Sequence, residues 1–297
     1  MQHLGELAAL GTAMCWAISS LAFSRAGRRI GTVPLNVIRL ALAFAFAAVA
    51  GTCLRGQPLP TDATGEQWLW LGLSGFLGFF LGDLCQFRAF VELGPRLTLL
   101  MMALSPPMTA AIDWLALGQA LSPLSLVGMG LTFAGVAWVL SERAGPGATG
   151  SPARRLRGAL LGLGGALGQA AGLVLSKRGM IGYEPFAGAQ IRMIVGLGCF
   201  ALLAAALGAG PKLRAALRDR TALRQAAFGA ALGPFLGVSL ALFALQSTAA
   251  GVAASLLSTS PIFVIPLTSW FEGERAGLRG VLGAVVAVAG VALLFAG

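Results

Sequence analysis

The 297-residue sequence is poor in charge: only 11% of it is Asp, Glu, Lys or Arg, where a soluble domain carries roughly 25%. That shortage excludes a chain of ordinary water-exposed domains. Histidine occurs once, as His3, so the base of most triads and the commonest zinc ligand are missing. The four cysteines, Cys15, Cys53, Cys85 and Cys199, lie in or beside apolar stretches without metal-like spacing, and no disulfide framework is expected. Acidic residues number 11 and form no cluster that would hold a hard cation. A glycine-rich nucleotide loop is missing too: residues 162–168 miss the GxGxxG spacing and lie within a helical stretch. No metal or cofactor is therefore expected.

What is present is apolar residue in long runs, 57% of the chain. A helix needs about 20 such residues to cross a bilayer, and ten runs qualify: 4–24, 34–54, 67–87, 95–113, 123–141, 157–176, 185–208, 222–245, 249–271 and 277–296. The reading is an all-α integral membrane protein of ten spans. No basic segment precedes the first span and no clear cleavage site follows it, so it is expected to be retained.

The net charge of +10 is distributed unevenly. With ten spans, the odd-numbered loops hold Arg25, Arg28, Arg29, Arg88, Arg96, Arg143, Arg154, Arg155, Arg157, Lys212, Arg214, Arg218, Arg220, Arg224, Arg275 and Arg279, and the even ones only Arg55, Lys177 and Arg178. This asymmetry predicts odd loops in the cytoplasm and both termini on the periplasmic side of a bacterial inner membrane. Nucleic acid is not an expected partner, because no folded basic domain presents these residues.

The chain also repeats. At an offset of 153, Gly5, Ala17 and Arg39 fall on Gly158, Ala170 and Arg192. At 155, Gly78, Gly82, Ser105, Pro106, Gly128 and Gly135 fall on Gly233, Gly237, Ser260, Pro261, Gly283 and Gly290. Residues 1–141 form one five-span unit, 142–156 a Gly/Pro/Ser-rich linker and 157–297 the second unit. Five is odd, so the units must be inverted, and inverted repeats place a substrate site near the bilayer midplane. The four-residue glycine spacings (78/82, 164/168/172, 229/233/237) predict close helix packing, in both halves for spans 3 and 8.

Arg39 and Arg192 interrupt apolar spans 2 and 7. Each reads either as an anchor bonding helix-end carbonyls, with a side chain that snorkels, or as a gate or partner for a substrate carboxylate. Inversion puts one near each mouth. Asp83 is the acid well inside a span, open to three roles: coupling proton, partner of a substrate ammonium, or pairing with Arg88. Trp16 and Gln169 occupy equivalent mid-depth positions in spans 1 and 6. With Phe79, Phe80, Thr98, Met101, Met102, Ser105, Gln190, Phe235, Ser239, Ser255, Ser258 and Thr259 they suit a mostly apolar pocket with a few polar groups. The competing reading is that Ser and Thr bond their own helices while Met and Phe merely pack. Pro106 and Pro261 are matched hinge candidates; Pro107 and Pro266 break that symmetry.

The segments LTLLMMALSPPMTAAI and VAASLLSTSPIFVIPL, and the final WFEGERAGLRGVLGAVVAVAGVALL, resemble the drug/metabolite transporter superfamily in its two-copy EamA branch. Bacterial amino-acid exporters, including the aromatic one, are the nearest likeness. The first copy departs at LALGQA, where the second has FEGERA. The resemblance implies a central cavity ringed by spans 1–4 and 6–9, with spans 5 and 10 peripheral, and export of amino acids or related metabolites by a monomer among membrane lipids. The alternatives on the same fold are a nucleotide-sugar or lipid-linked metabolite carrier and a multidrug exporter. Small multidrug exporters use a glutamate in the first span, where this chain has Met14, Cys15 and Trp16. An enzyme is not expected. Gly72–Gly75 spells the GLSG of a membrane serine protease, but no membrane histidine serves it, and Asp83 has no convincing mate for an aspartyl protease.

Overall fold

The computed structural model describes residues 3–117, 121–141, 152–247, 250–273 and 277–296, without the side chains of residues 54, 185, 239, 242, 245–247, 250 and 251. Residues 142–151 of the expected linker and the side chain of Ser239 thus lie outside the described residues. Residues 152–156, at the end of the expected linker, are helical.

The described residues form helices α1 (Leu4–Ile30), α2 (Thr32–Arg55), α3 (Gly65–Ser74), α4 (Asp83–Met102), α5 (Ser105–Leu117), α6 (Pro123–Leu140), α7 (Pro152–Gly179), α8 (Pro185–Ala206), α9 (Gly210–Arg218), α10 (Arg220–Ala230), α11 (Val238–Ser247), α12 (Ala250–Leu257), α13 (Ser260–Glu272) and α14 (Leu278–Ala296). Two π-helical segments, Gly75–Gly82 and Ala231–Gly237, join α3 to α4 and α10 to α11. Eight helical stretches are long and apolar enough to cross a membrane, against the ten spans expected. The difference lies in where helices run together or break. Spans 3 and 4 share one stretch, Gly65–Met102, which is kinked where Gly94 takes φ 83°. Span 8 is composed of α10, the π segment and α11.

Glycine makes the tightest of these connections. Between α1 and α2 the link is the single residue Gly31, at φ 85°, a conformation costly for any side chain. Capping is repeated as well. Thr64 accepts from Gln67 N and opens α3 with a full capping box, while Asp219, 155 residues on, accepts from Thr221 N and Ala222 N and opens α10.

The glycine pairs lie where helices touch. A Cβ on Gly128 would come within 2.6 Å of Gly290 O, and one on Gly135 within 2.9 Å of Gly283 O. The early glycine of α6 therefore meets the late glycine of α14, and the late meets the early, so the two helices run antiparallel. The 155-residue offset exchanges these two contacts. A second seam behaves alike. Gly82 packs on Gly168 and Gly78 on Gly172, while at the matching positions Gly237 packs on Trp16 and Gly233 on Ser19. The close packing predicted for spans 3 and 8 is real, but it crosses between the halves: α7 lies against α3–α4, and α1 against α10–α11.

The outer faces of α6 and α14 stay apolar and exposed, with Leu126, Val127, Leu278 and Val285 at 54%, 59%, 74% and 47%. An apolar surface of that extent suits lipid and not water.

The hinge candidates sit at breaks. α4 stops at Met102 and α5 starts at Ser105; α12 stops at Leu257 and α13 starts at Ser260. Pro106 and Pro261 fall in the first turn of the second helix each time, where the missing N–H costs little. The expected bend within one continuous helix is thus a matched two-residue interruption, 103–104 and 258–259.

Candidate functional site: a buried charged cluster

Arg39 points inward from the second turn of α2. It is 7% exposed, and its Nη2 bonds Asp83 Oδ2, Asp83 being 4% exposed. Arg39 Nε donates to Asn36 Oδ1 at 2.9 Å, one turn back on the same helix. Its guanidinium lies 4.3 Å from the Phe87 ring centroid and 5.8 Å from that of Phe23, within cation–π range. The second oxygen of Asp83 accepts from Gln169 Nε2 at 2.9 Å, which also reaches Gly78 O at 3.3 Å. Both carboxylate oxygens are therefore occupied.

These contacts differ from two of the pairings that the sequence left open. Arg39 neither snorkels nor bonds helix-end carbonyls. Asp83 pairs with Arg39 and not with Arg88, which is exposed; five residues along a helix places a side chain about 140° away around its axis.

Arg192 approaches the cluster from α8. Its guanidinium stacks 4.5 Å from the Phe79 centroid, and its Nη2 lies 3.2 Å from where a Cβ on Gly78 would be. Glycine there leaves the room the guanidinium uses. Arg192 and Asp83 interact electrostatically, but without an ion pair within 4 Å, and Arg192 Nε is buried without a hydrogen-bond partner among the described residues. The pair of arginines placed near opposite mouths by inversion thus extends towards one cluster from two sides.

Asp83, Gln169, Phe79, Arg39 and Arg192 come together. Phe80 stands one layer away, with its ring 5.1 Å from Phe200. Trp16, the repeat counterpart of Gln169, packs its Nε1 on Gly237 at the other π segment. Phe235 lines a cavity of about 20 Å³ with Ala43, Ala47, Met193 and Val238, far below the roughly 300–1,000 Å³ of a ligand pocket. Thr98 bonds Gly94 O, Ser258 bonds Ala254 O and Thr259 bonds Leu256 O, each within its own helical stretch. Met101 and Met102 pack on Gly162 and Gly165 of α7. Ser105 opens α5 and Ser255 lies on α12. Gln190, 2% exposed, donates to Pro58 O at 3.0 Å, away from the cluster.

Two buried residues were not singled out by sequence. Asn36 fixes Arg39, and the i, i+3 spacing was the available signal. Asp113, 6% exposed, is a second acid inside the bundle, because α5 continues to Leu117; it pairs with Lys177 Nζ at 2.5 Å.

Ion pairs tie the halves at both ends. At the arginine-rich end Arg29 meets Asp219, Arg25 Nη2 donates to Phe271 O at 2.7 Å and Arg154 Nε donates to Glu92 at 2.9 Å. Asp219 is held below the usual carboxylate range by the Ala222 N–H and by Arg29. At the other end Arg55 bonds Asp62 at 2.8 Å and faces Glu184 at 3.7 Å, while Tyr183 O–H donates to Asp62 at 3.0 Å. Burial and that bond push the Tyr183 phenol up to about 12. Burial pushes Asp62 up, but the bonds from Tyr183 and Arg55 outweigh it and leave the carboxyl below its ordinary value.

No curated protein sequence matches the chain. A solved crystal structure shares 17% identity and a TM-score of 0.66, covering 99% of this chain and 96% of that one, which shows a common fold. The model of the EamA-like transporter family matches twice, over residues 3–141 and 156–296. This multi-pass membrane protein belongs to the EamA-like transporter family.

Proposed function

We propose that the chain exports amino acids or related small metabolites across a bacterial inner membrane by alternating access. Ten spans form two inverted five-span repeats, 1–141 and 157–297, with the arginine-rich end cytoplasmic and both termini periplasmic. The observation that carries this reading is the buried charged cluster at the junction of the halves, between two ends where Arg29–Asp219 and Arg55–Glu184 cross from one half to the other. Charged side chains inside a membrane bundle are costly and mark substrate paths, and ties at both ends are what alternating access must break in turn. Trp16, Phe79, Gln169 and Phe235 flank the path between the two π segments, and the interruptions at 103–104 and 258–259 are the hinges. A cationic-drug exporter is less well supported, because both oxygens of the acid it would use are occupied.

Counterflow in proteoliposomes, with amino acids, cationic drugs and nucleotide sugars as the panel, tests the substrate class. Exchange of amino acids is expected; exchange confined to nucleotide sugars would replace the reading with the carrier alternative. A reporter fused to the C-terminus is expected to behave as periplasmic, and cytoplasmic behaviour would reverse the orientation.

A further inference from the structure

The two arginines are repeat counterparts, but their surroundings are not. Arg39 has its acid. The residue 155 positions on from Asp83 is Val238, so the second half supplies no carboxylate where the repeat would put one. Arg39, Asp83 and Arg192 together leave one unbalanced positive charge among apolar rings. The Nε of Arg192 also keeps an unused donor. Phe79 underlies the guanidinium and Gly78 makes room at its edge, which holds the fork in one plane.

Resting on the transport reading above, we propose that Arg192 is the anchor for a carboxylate of the transported molecule, filling for this arginine the place that Asp83 fills for Arg39. A planar guanidinium matches a carboxylate with two parallel bonds. The charge count selects among anions. A single carboxylate cancels the one excess charge, whereas a phosphate group carries about −1.5 to −2 at neutral pH and would leave the site negative, since Arg39 is already engaged.

The test is counterflow of radiolabelled leucine, phenylalanine and glutamate in proteoliposomes, with each acid and its amide as competitors. In the wild type the amide is expected to compete about 10–100-fold more weakly than the acid, the range of a lost charge-assisted bond. Arg192→Gln should erase that ratio. Val238→Asp, which leaves Arg192 in place and puts a carboxylate at the position that repeats Asp83, should erase it too if the second half can use that position as the first half does. Equal competition by acid and amide in the wild type overturns the proposal, as does a ratio that survives both substitutions. If Arg192→Gln fails to fold, Val238→Asp decides. If the wild type exchanges no amino acid, the transport reading fails by itself. The subsite is then judged in detergent: stabilisation by leucine but not leucinamide, lost in Val238→Asp, supports it, and no difference between the two ligands refutes it.

Discussion

Removing the Asp83 carboxylate should cost more than any surface charge in this protein. Arg39 and Asp83 are 7% and 4% exposed, and breaking a buried pair by deleting one partner typically costs about 3–5 kcal/mol, because the remaining charge is left uncompensated. Asp83→Asn keeps a carbonyl for Arg39 and a neighbour for Gln169, which places it near 3 kcal/mol on that scale. At about 2–4 °C per kcal/mol the unfolding temperature in detergent should fall by roughly 10 °C. Arg39→Gln should cost a similar amount. Asp83→Asn and Arg39→Gln together should cost little more than either, giving a coupling energy of about 2–3 kcal/mol in a double-mutant cycle. Arg39→Met with Asp83→Leu should recover most of the wild-type stability, since apolar replacement of both members is often neutral. Glu92→Gln serves as the control, because its partner Arg154 is 46% exposed; about 0.2–1 kcal/mol is expected there. A measured Arg39–Asp83 coupling below about 1 kcal/mol would refute the reasoning.

Gly128→Ala should destabilise by about 1–3 kcal/mol or more, because the new methyl meets backbone of α14. Gly130→Ala, two residues along with open space around it, should be neutral or stabilise by up to about 1 kcal/mol; thermal unfolding of both variants separates packing from propensity. Tyr183 is the only tyrosine, so the phenolate absorbance reports it alone. That absorbance should rise near pH 12 in the wild type and at a lower pH in Asp62→Asn, which removes the carboxylate that holds the proton on; an unmoved titration contradicts the bond between Tyr183 and Asp62. Because the Asp62 pKa is depressed on folding, its stabilising contribution is present above the unfolded value of 3.8 and is lost as pH falls through the lower folded value. Asp62→Asn should accordingly flatten the acid limb of the stability profile below about pH 4, and an unchanged limb would assign it to other carboxylates.

The seam at Gly78 and Gly82 was legible from sequence because glycines at four-residue spacing that recur at one offset suit close approach of backbones, and their contacts show it. Which helices they join was not legible. Spacing says that Gly78 and Gly82 lie on one face, but not that the face meets Gly168 and Gly172 of the other half. The partner of Asp83 was hidden for a related reason. Arg39 lies 44 residues away, and its meeting with Asp83 depends on the rotation of α4, which the π segment Gly75–Gly82 changes by widening the turns ahead of it. Polar residue type was a poor guide on spans 4 and 9: Thr98, Ser258 and Thr259 satisfy their hydroxyls on nearby carbonyls of their own chain segment. In apolar surroundings a hydroxyl takes the nearest acceptor, and a helix always offers one.

The crossing of the seams sets an order of events during synthesis. Gly82 waits for Gly168, and at about 5–20 residues per second the ribosome takes roughly 4–17 s to supply the intervening chain. Throughout that interval the groove at Gly78 and Gly82 stays open while the rest of the first half is made. Arg39 and Asp83 belong to the same half, so their charges can neutralise each other before α7 arrives. The second half contributes Arg192 after them, into a bilayer where Arg39 and Asp83 are already in place.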